Sequence, residues 1–337
     1  MGVDKDGHPT DLETFYGKHP SFAWGPALLG AAMWGLCQVP AVQHRLDQQG
    51  MTPYGFEATI AYIAFAITLS LAVHGWMCIF AEPERQLQAY DPKGKPIEES
   101  TPRVSYKDKS PPKAAAVRTA AAIATSIVYA VFPFGANTQT WGAFVAWAFA
   151  LSLYWDFHFF CAHKLAHEYS TLYKFFHKLH HTYKDPDCFG AYFVTYQSHV
   201  VLEQIVVVLF CLCGLPRDVF TFVLYWGTFG TLVQHCGHEI GSVKLPFLPI
   251  TLDQFSSLLS PWGLLLGGHG TAEHDWHHEK FTANYALSFT YLDKLFGSYH
   301  SGRVPGEAIS NGKGAISNGK EALSNGKEAL SNGKEAL

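Results

Sequence analysis

The first half of the chain alternates long apolar segments with polar connectors. Each apolar segment is close to the roughly 20 residues that a helix needs to cross a bilayer. Because four such segments lie close together, we predict four transmembrane helices rather than a soluble fold. They cover residues 22–42, 57–80, 114–134 and 141–155.

A second apolar region is interrupted by a turn. Residues 200–213 and 219–233 are apolar arms on either side of GLPRD, where glycine, proline and two charges break a helix. Each arm is short for a full crossing, so we predict a re-entrant or interfacial helical hairpin. A pair of complete crossings is the alternative, and it also returns the chain to the same side.

Positive charge in the connectors predicts the orientation. Residues 81–113 carry seven lysines and arginines, whereas 43–56 carry one and 135–140 carry none. Because cytosolic loops are enriched in Lys and Arg, we predict that 81–113 is cytosolic. The N-terminal segment 1–21 and everything after residue 155 are then cytosolic too.

The amino-acid composition limits the possible partners and the cellular compartment of the protein. Hydrophobic residues make up 48% of the chain and charged residues 15%, and the net charge of −4 offers nothing to nucleic acid. The seven cysteines contain no CxxC pair, which is typical of small buried side chains in a reducing compartment. Residues 304–337 are largely a heptapeptide repeat containing Asn-Gly, so we predict a solvated, disordered tail.

The predicted fold is therefore all-α. Residues 22–155 form a polytopic membrane part of about four helices, and 156–303 form a helical cap on the cytosolic side that includes the hairpin. The candidate chemistry lies in this second part.

Histidines are concentrated there. Thirteen of the eighteen lie between His158 and His278, and eight of them form three short boxes. HKLAH places two histidines one helical turn apart, directly after the fourth apolar segment, so that helix is predicted to continue and carry them. HKLHH and HDWHH share an i, i+3, i+4 spacing, which directs three imidazoles to one point or to two adjacent points. The box histidines are His163, His167, His177, His180, His181, His274, His277 and His278.

These boxes indicate a metal centre. Eight imidazoles exceed the four ligands of one tetrahedral zinc and suit two ions with open positions. The chain contains no ExxH, which the carboxylate-bridged di-iron bundles use, and no HExxH of the zinc proteases.

The boxes resemble those of the fatty acid hydroxylase/sterol desaturase superfamily of membrane di-iron oxygenases. The resemblance extends over about residues 150–300: YQSHVVLE is similar to the family's HPxE element, QHCGHE to its HSGY element, and HDWHHEKFTANY with YLDKLFG to its last box and the segments after it. The order of elements is most similar to the C-4 methylsterol monooxygenases. The chain departs from the pattern at Val200, His238 and Glu273.

The resemblance implies two non-haem irons held by the eight box histidines, with O2 as co-substrate and no catalytic residue beyond the metal site. It also implies two further ligands between the second and third boxes. His199 and His235 are the candidates, and His238 competes with either of them.

Ligating histidines usually donate their second N–H to a carboxylate or carbonyl. The candidates for such a role, or for turning the chain under the third box, are Asp156, Glu203, Asp275 and Asn284. Glu168 has an equally good interpretation as a solvated charge, and His158 as part of an aromatic cluster.

The expected activity is oxidation of a membrane lipid, with the sterol C-4 methyl group as first choice. Another lipid hydroxylase or a sterol desaturase of the same superfamily is the alternative. A membrane metal transporter or a zinc hydrolase is a more distant one. The resemblance also implies electron supply by cytochrome b5 and its NAD(P)H-dependent reductase, in the endoplasmic reticulum membrane.

Overall fold

The computed structural model describes residues 31–79 apart from 33, 126–182, 188, 190–192, 194–237 and 262–302. The predicted N-terminal segment 1–21, loop 81–113 and tail 304–337 lie outside these residues.

The described part is mostly helical. Ten α-helices have defined bounds there, several of them continued by short 3-10 or π-helical turns, and residues 31–32 and 34–37 are helical as well. In chain order they are α1 Pro40–Gln48, α2 Phe56–Ile79, α3 Trp141–Glu168, α4 Ser170–Leu172, α5 Tyr196–His199, α6 Ile205–Leu212, α7 Arg217–Gln234, α8 Trp262–Leu266, α9 Thr271–Lys280 and α10 Tyr291–Leu295.

Two helices are long and apolar enough to cross a membrane. They are α2, over Phe56–Gly75, and α3. Large apolar side chains on both face outward: Phe56 is 63% exposed and Trp141 is 79% exposed. Such exposure is costly in water and favourable in lipid, so the two helices favour a membrane protein.

The other two predicted spans differ from expectation where the structure describes them. Pro40 begins α1 at the end of the segment 22–42, so part of the predicted connector 43–56 is helical. The predicted helix 114–134 is wrong at its C-terminal end, where a 3-10 turn, Ile127–Val131, leads into a short strand. Proline at position 133 explains this ending, because it removes a donor and disfavours helix at the residue before it.

That strand belongs to a small sheet at one end of the bundle. Strand β1, Thr52–Pro53, pairs antiparallel with β2, Pro133–Phe134. Phe134 is fully buried and stacks on Phe220 of α7 with ring centroids 4.5 Å apart. The contact joins the connectors before α2 and α3 to the hydrophobic core between α2, α3 and α7.

GLPRD forms the predicted break at the same end. Helix α6 stops before Gly214, whose φ of 78° is accessible to glycine at no steric cost, and α7 begins after Pro216. Arg217 donates to Thr52 Oγ1 at 2.7 Å, and the Asp218 carboxylate accepts from the Thr138 N–H at 3.1 Å. The turn is thereby fixed to both connectors, and both arms run from there toward the histidine boxes.

Helix α3 continues past the predicted membrane segment, as the position of HKLAH suggests. The Thr140 hydroxyl caps its start by accepting from the Ala143 N–H at 3.1 Å. The helix remains unbroken through residues 141–168, so the predicted boundary at 155 falls inside it. One rigid element thus joins the membrane part to the first histidine box.

Candidate metal centre

Nine buried or half-buried histidines gather in two neighbouring groups. Within each group, the ring nitrogens that could bind a metal all lie within 4.8 Å of one another. Group A contains His163, His167, His177, His181 and His277, and group B contains His180, His235, His274 and His278.

Box 1 supplies two members of group A from one face of α3. His163 and His167 lie one turn apart, and their Nε2 atoms are 3.2 Å from each other. His163 is buried at 2% exposure, so the helix delivers its imidazole into the interior of the cap.

Box 2 serves both groups because its backbone departs from a regular α-helix. Tyr173–His177 is a π-helical turn, and a 3-10 turn follows at His180–Thr182. His177 and His181 enter group A, with their Nε2 atoms 2.9 Å apart, whereas His180 enters group B. The spacing allowed one point or two adjacent points, and the structure has two.

Box 3 lies between the groups on α9. His277 contributes to group A, 3.1 Å from His181, and His274 and His278 contribute to group B. The start of α9 is held by the Glu273 carboxylate, which accepts from the Gly270 N–H at 3.1 Å.

His235, at the C-terminal end of α7, completes group B. Its Nε2 lies 2.9 Å from that of His274 and 3.4 Å from that of His180. The structure thus brings together all eight box histidines and one of the two additional candidates.

Backbone carbonyls orient three of the rings. The Nδ1 atoms of His163 and His277 lie 2.8 and 2.7 Å from the carbonyl oxygens of Tyr285 and Ala283. His235 Nδ1 lies 2.8 Å from the Thr231 carbonyl. Since a carbonyl can only accept, each Nδ1 carries the proton and each Nε2 directs a lone pair into its group.

This donor set fits a metal ion in each group. Nε2 lone pairs that face one another at about 3 Å repel unless a proton or a cation lies between them. Burial lowers the pKa of His177, His181 and His277 well below the usual range, and neighbouring imidazoles lower it further. The rings are therefore neutral near pH 7, which is the form that binds metals.

Residues 283–289 carry two of the orienting carbonyls, and buried side chains hold this loop. Asp293 accepts from the N–H groups of Tyr285 and Ala286, each at 2.9 Å. Asp156 accepts from Ser288 and Phe289, and Gln234 donates to the carbonyls of Leu287 and His269.

Asp293 and Gln234 are functional residues that sequence reasoning missed. The sequence offered one signal for Asp293, which is its place in the YLDKLFG segment that resembles the family pattern. The structure shows that this carboxylate is completely buried.

The predicted supporting residues have different positions. Asp156 holds the loop rather than a ring, and the Asn284 amide donates to the carbonyls of Glu273 and His300, each at 2.8 Å. Asn284 has a φ of 58°, in the left-handed region. Asp275 is buried on α9, and Glu203 lines the cavity described below.

Four other candidates lie apart from the groups or outside the described residues. His199 belongs to neither group, and His238 lies outside the described residues. His158 Nε2 lies 2.6 Å from the Val201 carbonyl, and its ring stacks on Tyr154. Glu168 forms an exposed ion pair with Lys164.

A cavity of about 670 Å³ extends from the helical core to both histidine groups. Tyr62 and Ala66 of α2 and Phe222 and Trp226 of α7 contribute to its largely apolar wall. Its polar end includes His163, His177, His180, His235 and His274. An apolar molecule in this cavity can therefore lie against histidines of both candidate metal positions.

The fold and the site define a helical protein with a paired, all-histidine metal centre at the end of an apolar cavity. Comparison with protein families agrees with this description of the fold and the site. Residues 147–298, which carry both groups, match the family described as fatty acid hydroxylase. The resemblance to the fatty acid hydroxylase/sterol desaturase superfamily is confirmed, and methylsterol monooxygenases are among the similar proteins.

Individual relatives point the same way. A methylsterol monooxygenase candidate from Dictyostelium discoideum is 35% identical over 46% of this chain and 52% of its own length. Methylsterol monooxygenase 1 from Rattus norvegicus is 28% identical over 43% of this chain and 44% of its own length. A cholesterol 25-hydroxylase-like protein from Danio rerio is 32% identical, over 46% and 57%. The chain thus spans about half the length of the relatives it matches, and no solved structure matches it significantly.

Proposed function

We propose that this chain is an O2-dependent oxidoreductase that holds one non-haem iron in each histidine group and oxidises the C-4 methyl group of a membrane sterol. The observation that carries the proposal is the apolar cavity, which ends at both groups. Iron bound there supplies the O2 chemistry that oxidises an unactivated C–H bond, which no side chain can do.

The protein's own residues perform the remaining tasks. The nine histidines would bind the two irons and fix their positions. The carbonyls of Tyr285, Ala283 and Thr231 hold three of these histidines in the tautomer that presents Nε2. The apolar wall orients the lipid and excludes water from the reacting carbon.

Nine neutral nitrogen donors argue against the more distant alternatives. A zinc hydrolase needs about one metal and four ligands, and the second group would then have no use. A transporter would place polar groups along a path through the membrane, whereas both groups lie near the C-terminal end of α3.

The substrate class is supported by the cavity and by the names of relatives. About 670 Å³ is enough for a polycyclic lipid, and several relatives are named for methylsterols. The cholesterol 25-hydroxylase-like relative favours a second candidate, a sterol hydroxylase acting on another carbon. The two candidates differ only in which carbon the wall presents to the metal groups.

Electron supply and location are part of the proposal. We infer that cytochrome b5 and its NAD(P)H-dependent reductase supply electrons on the cytosolic face of the endoplasmic reticulum membrane. Exposed Lys174 and Lys178 flank buried His177. They give a carrier with acidic surface groups a cationic place to dock close to group A.

Complementation tests the activity. Expression of the chain in cells that lack sterol C-4 demethylation should restore growth and remove C-4 methylated sterols, as measured by mass spectrometry. Conversion of sterols at another carbon, with the C-4 methyl groups retained, would replace the first candidate by the second.

A further inference from the structure

The helical segment 196–212 presents an unexpected polar group to the apolar cavity. Ser198, His199 and Glu203 all line it, and none of them belongs to either metal group. His199 and Glu203 are four residues apart, across the junction of α5 with the π-helical turn Val200–Gln204, so they share a side of the segment.

Two of these side chains have unused hydrogen-bonding capacity. Ser198 Oγ and His199 Nε2 are buried and have no hydrogen-bond partner in the structure. Ser198 has no exposed surface at all. Buried polar atoms are normally paired, because leaving them unpaired costs free energy, so a pair of them in a cavity wall points to a ligand.

The third member adds a charge or a strong acceptor. The Glu203 carboxyl lies next to the indole N–H of Trp155, although the two do not reach the geometry of a regular hydrogen bond. The surrounding wall is apolar, with Leu202, Phe222 and Leu224 among its members. A carboxyl in such a wall is stabilised by a ligand group that donates a hydrogen bond to it.

The chemistry of the three groups selects among lipid head groups. A carboxylate accepts, while an imidazole and a serine hydroxyl can each donate or accept. An alcohol complements this set because its oxygen both donates and accepts. A fatty acid carboxylate only accepts hydrogen bonds, so it complements this set less well than an alcohol does.

We propose that Ser198, His199 and Glu203 bind the hydroxyl group of a lipid alcohol and thereby select the substrate and fix which carbon faces the metal groups. The proposal rests on the proposed function, in which the cavity holds the lipid. It also gives His199 a role other than the metal ligation expected from the sequence.

Equilibrium binding tests the proposal on the full-length, iron-loaded chain in detergent micelles. The probe is a tritiated 4-methylsterol with its 3-hydroxyl group, competed by the same sterol without that hydroxyl. The wild-type chain should prefer the alcohol by about tenfold or more, the effect of one buried hydrogen-bonded group. Glu203→Leu should reduce this preference to near unity, and Glu203→Gln should retain most of it, because an amide still bonds a hydroxyl.

Iron content provides the control for folding and for metal ligation. Glu203→Leu and His199→Phe should both keep the wild-type iron content. If His199→Phe loses iron, His199 is a metal ligand and the proposal is overturned. It is also overturned if Glu203→Leu keeps the wild-type preference for the alcohol.

A second pair of ligands, with tritiated octadecanol as its own probe and octadecane as its competitor, separates this inference from the proposed function. Octadecanol and octadecane differ by one hydroxyl and are not sterols. If the sterol does not bind but octadecanol does, with the same dependence on Glu203, the hydroxyl site stands and the sterol assignment fails. If the sterol is oxidised at C-4 but the wild-type chain binds both members of each pair equally, the function stands and the hydroxyl site fails.

Discussion

At the scale of single residues, the histidines depend on the backbone that orients them. His163 and His277 present Nε2 to group A because the carbonyls of Tyr285 and Ala283 fix their Nδ1 protons. Asp293 in turn fixes the Tyr285 and Ala286 N–H groups. Metal affinity should therefore depend on the Asp293 carboxylate. This carboxylate acts on the imidazoles through the loop that it holds, and not through a hydrogen bond to an imidazole.

Asp293→Asn tests this dependence. An amide cannot accept at both of its polar atoms, so the loop should lose one of its two backbone bonds. We expect a loss of iron affinity of about 10- to 100-fold, the usual effect of removing an outer partner of a metal ligand. Competition with a chelator measures it.

Asp218→Asn is the matched control. This aspartate also accepts from a backbone N–H, that of Thr138, but at the opposite end of the bundle. Its substitution should reduce thermal stability and leave iron affinity unchanged. Equal losses of affinity in both variants would show that Asp293 acts only through general stability.

Adjacent histidines of box 3 should have separable effects. His277 belongs to group A and His278 to group B, so each alanine variant should lose the ion of its own group and retain about one iron per chain. Both variants should be inactive, because the proposed chemistry needs both ions. Elemental analysis of the purified chains gives the iron content.

His158→Ala is the control for these variants. His158 lies on α3 like box 1 but bonds the Val201 carbonyl, so its loss should leave both ions in place. Retained oxygenase activity in either box 3 variant would remove that residue from the site.

Residue spacing could predict the box histidines but not their distribution. The i, i+3, i+4 pattern left one point or two adjacent points open. The backbone of box 2, with its π-helical turn, places His180 apart from the group of His177 and His181. Whether His199 or His235 approaches the boxes depends on the ends of two helices in space. No local pattern in the sequence contains that information.

At the scale of elements, residues that break helices predicted helix ends well, whereas the length of an apolar segment predicted them less well. GLPRD correctly predicted the end of one helix and the start of the next, and the position of HKLAH correctly predicted that α3 continues. The apolar segment 114–134 gave no sign of the 3-10 turn and strand that the structure has at its C-terminal end. The 3-10 turn and the strand there are stabilised by packing of Phe132 and Phe134 in the core.

One close approach at this end of the bundle gives a stability prediction. A Cβ atom at Gly135 would lie 2.5 Å from the Gly214 carbonyl oxygen. Gly135→Ala must therefore push the connector before α3 away from the turn between α6 and α7. We expect a loss of about 1–3 kcal/mol in the free energy of unfolding, the usual cost of overpacking. Thermal or denaturant unfolding in detergent measures it.

Gly142→Ala provides the contrast. A Cβ atom there meets nothing within 4 Å, and the residue lies in the first turn of α3, where alanine is the better helix former. This substitution should be neutral or stabilising. A Gly135→Ala chain as stable as the Gly142→Ala chain would mean that the connectors are not fixed to each other.

At the scale of the whole molecule, the apolar interior and the histidine groups form one continuous site. The cavity touches α2, α3 and α7 and ends at ligands from both groups. The boxes in the sequence predicted a metal centre, and the structure brings their histidines together in two groups that could each hold an ion. The cavity arises from contacts between distant segments and could not be located in this way. The cavity is nevertheless what would link the histidine groups to the proposed lipid substrate.

The most direct test of the account is the metal content of the chain purified under reducing conditions and loaded with ferrous iron. Two groups of five and four neutral histidines should each hold one ion. The account predicts close to two irons per chain. A single tightly bound zinc per chain, which iron does not replace, would contradict it.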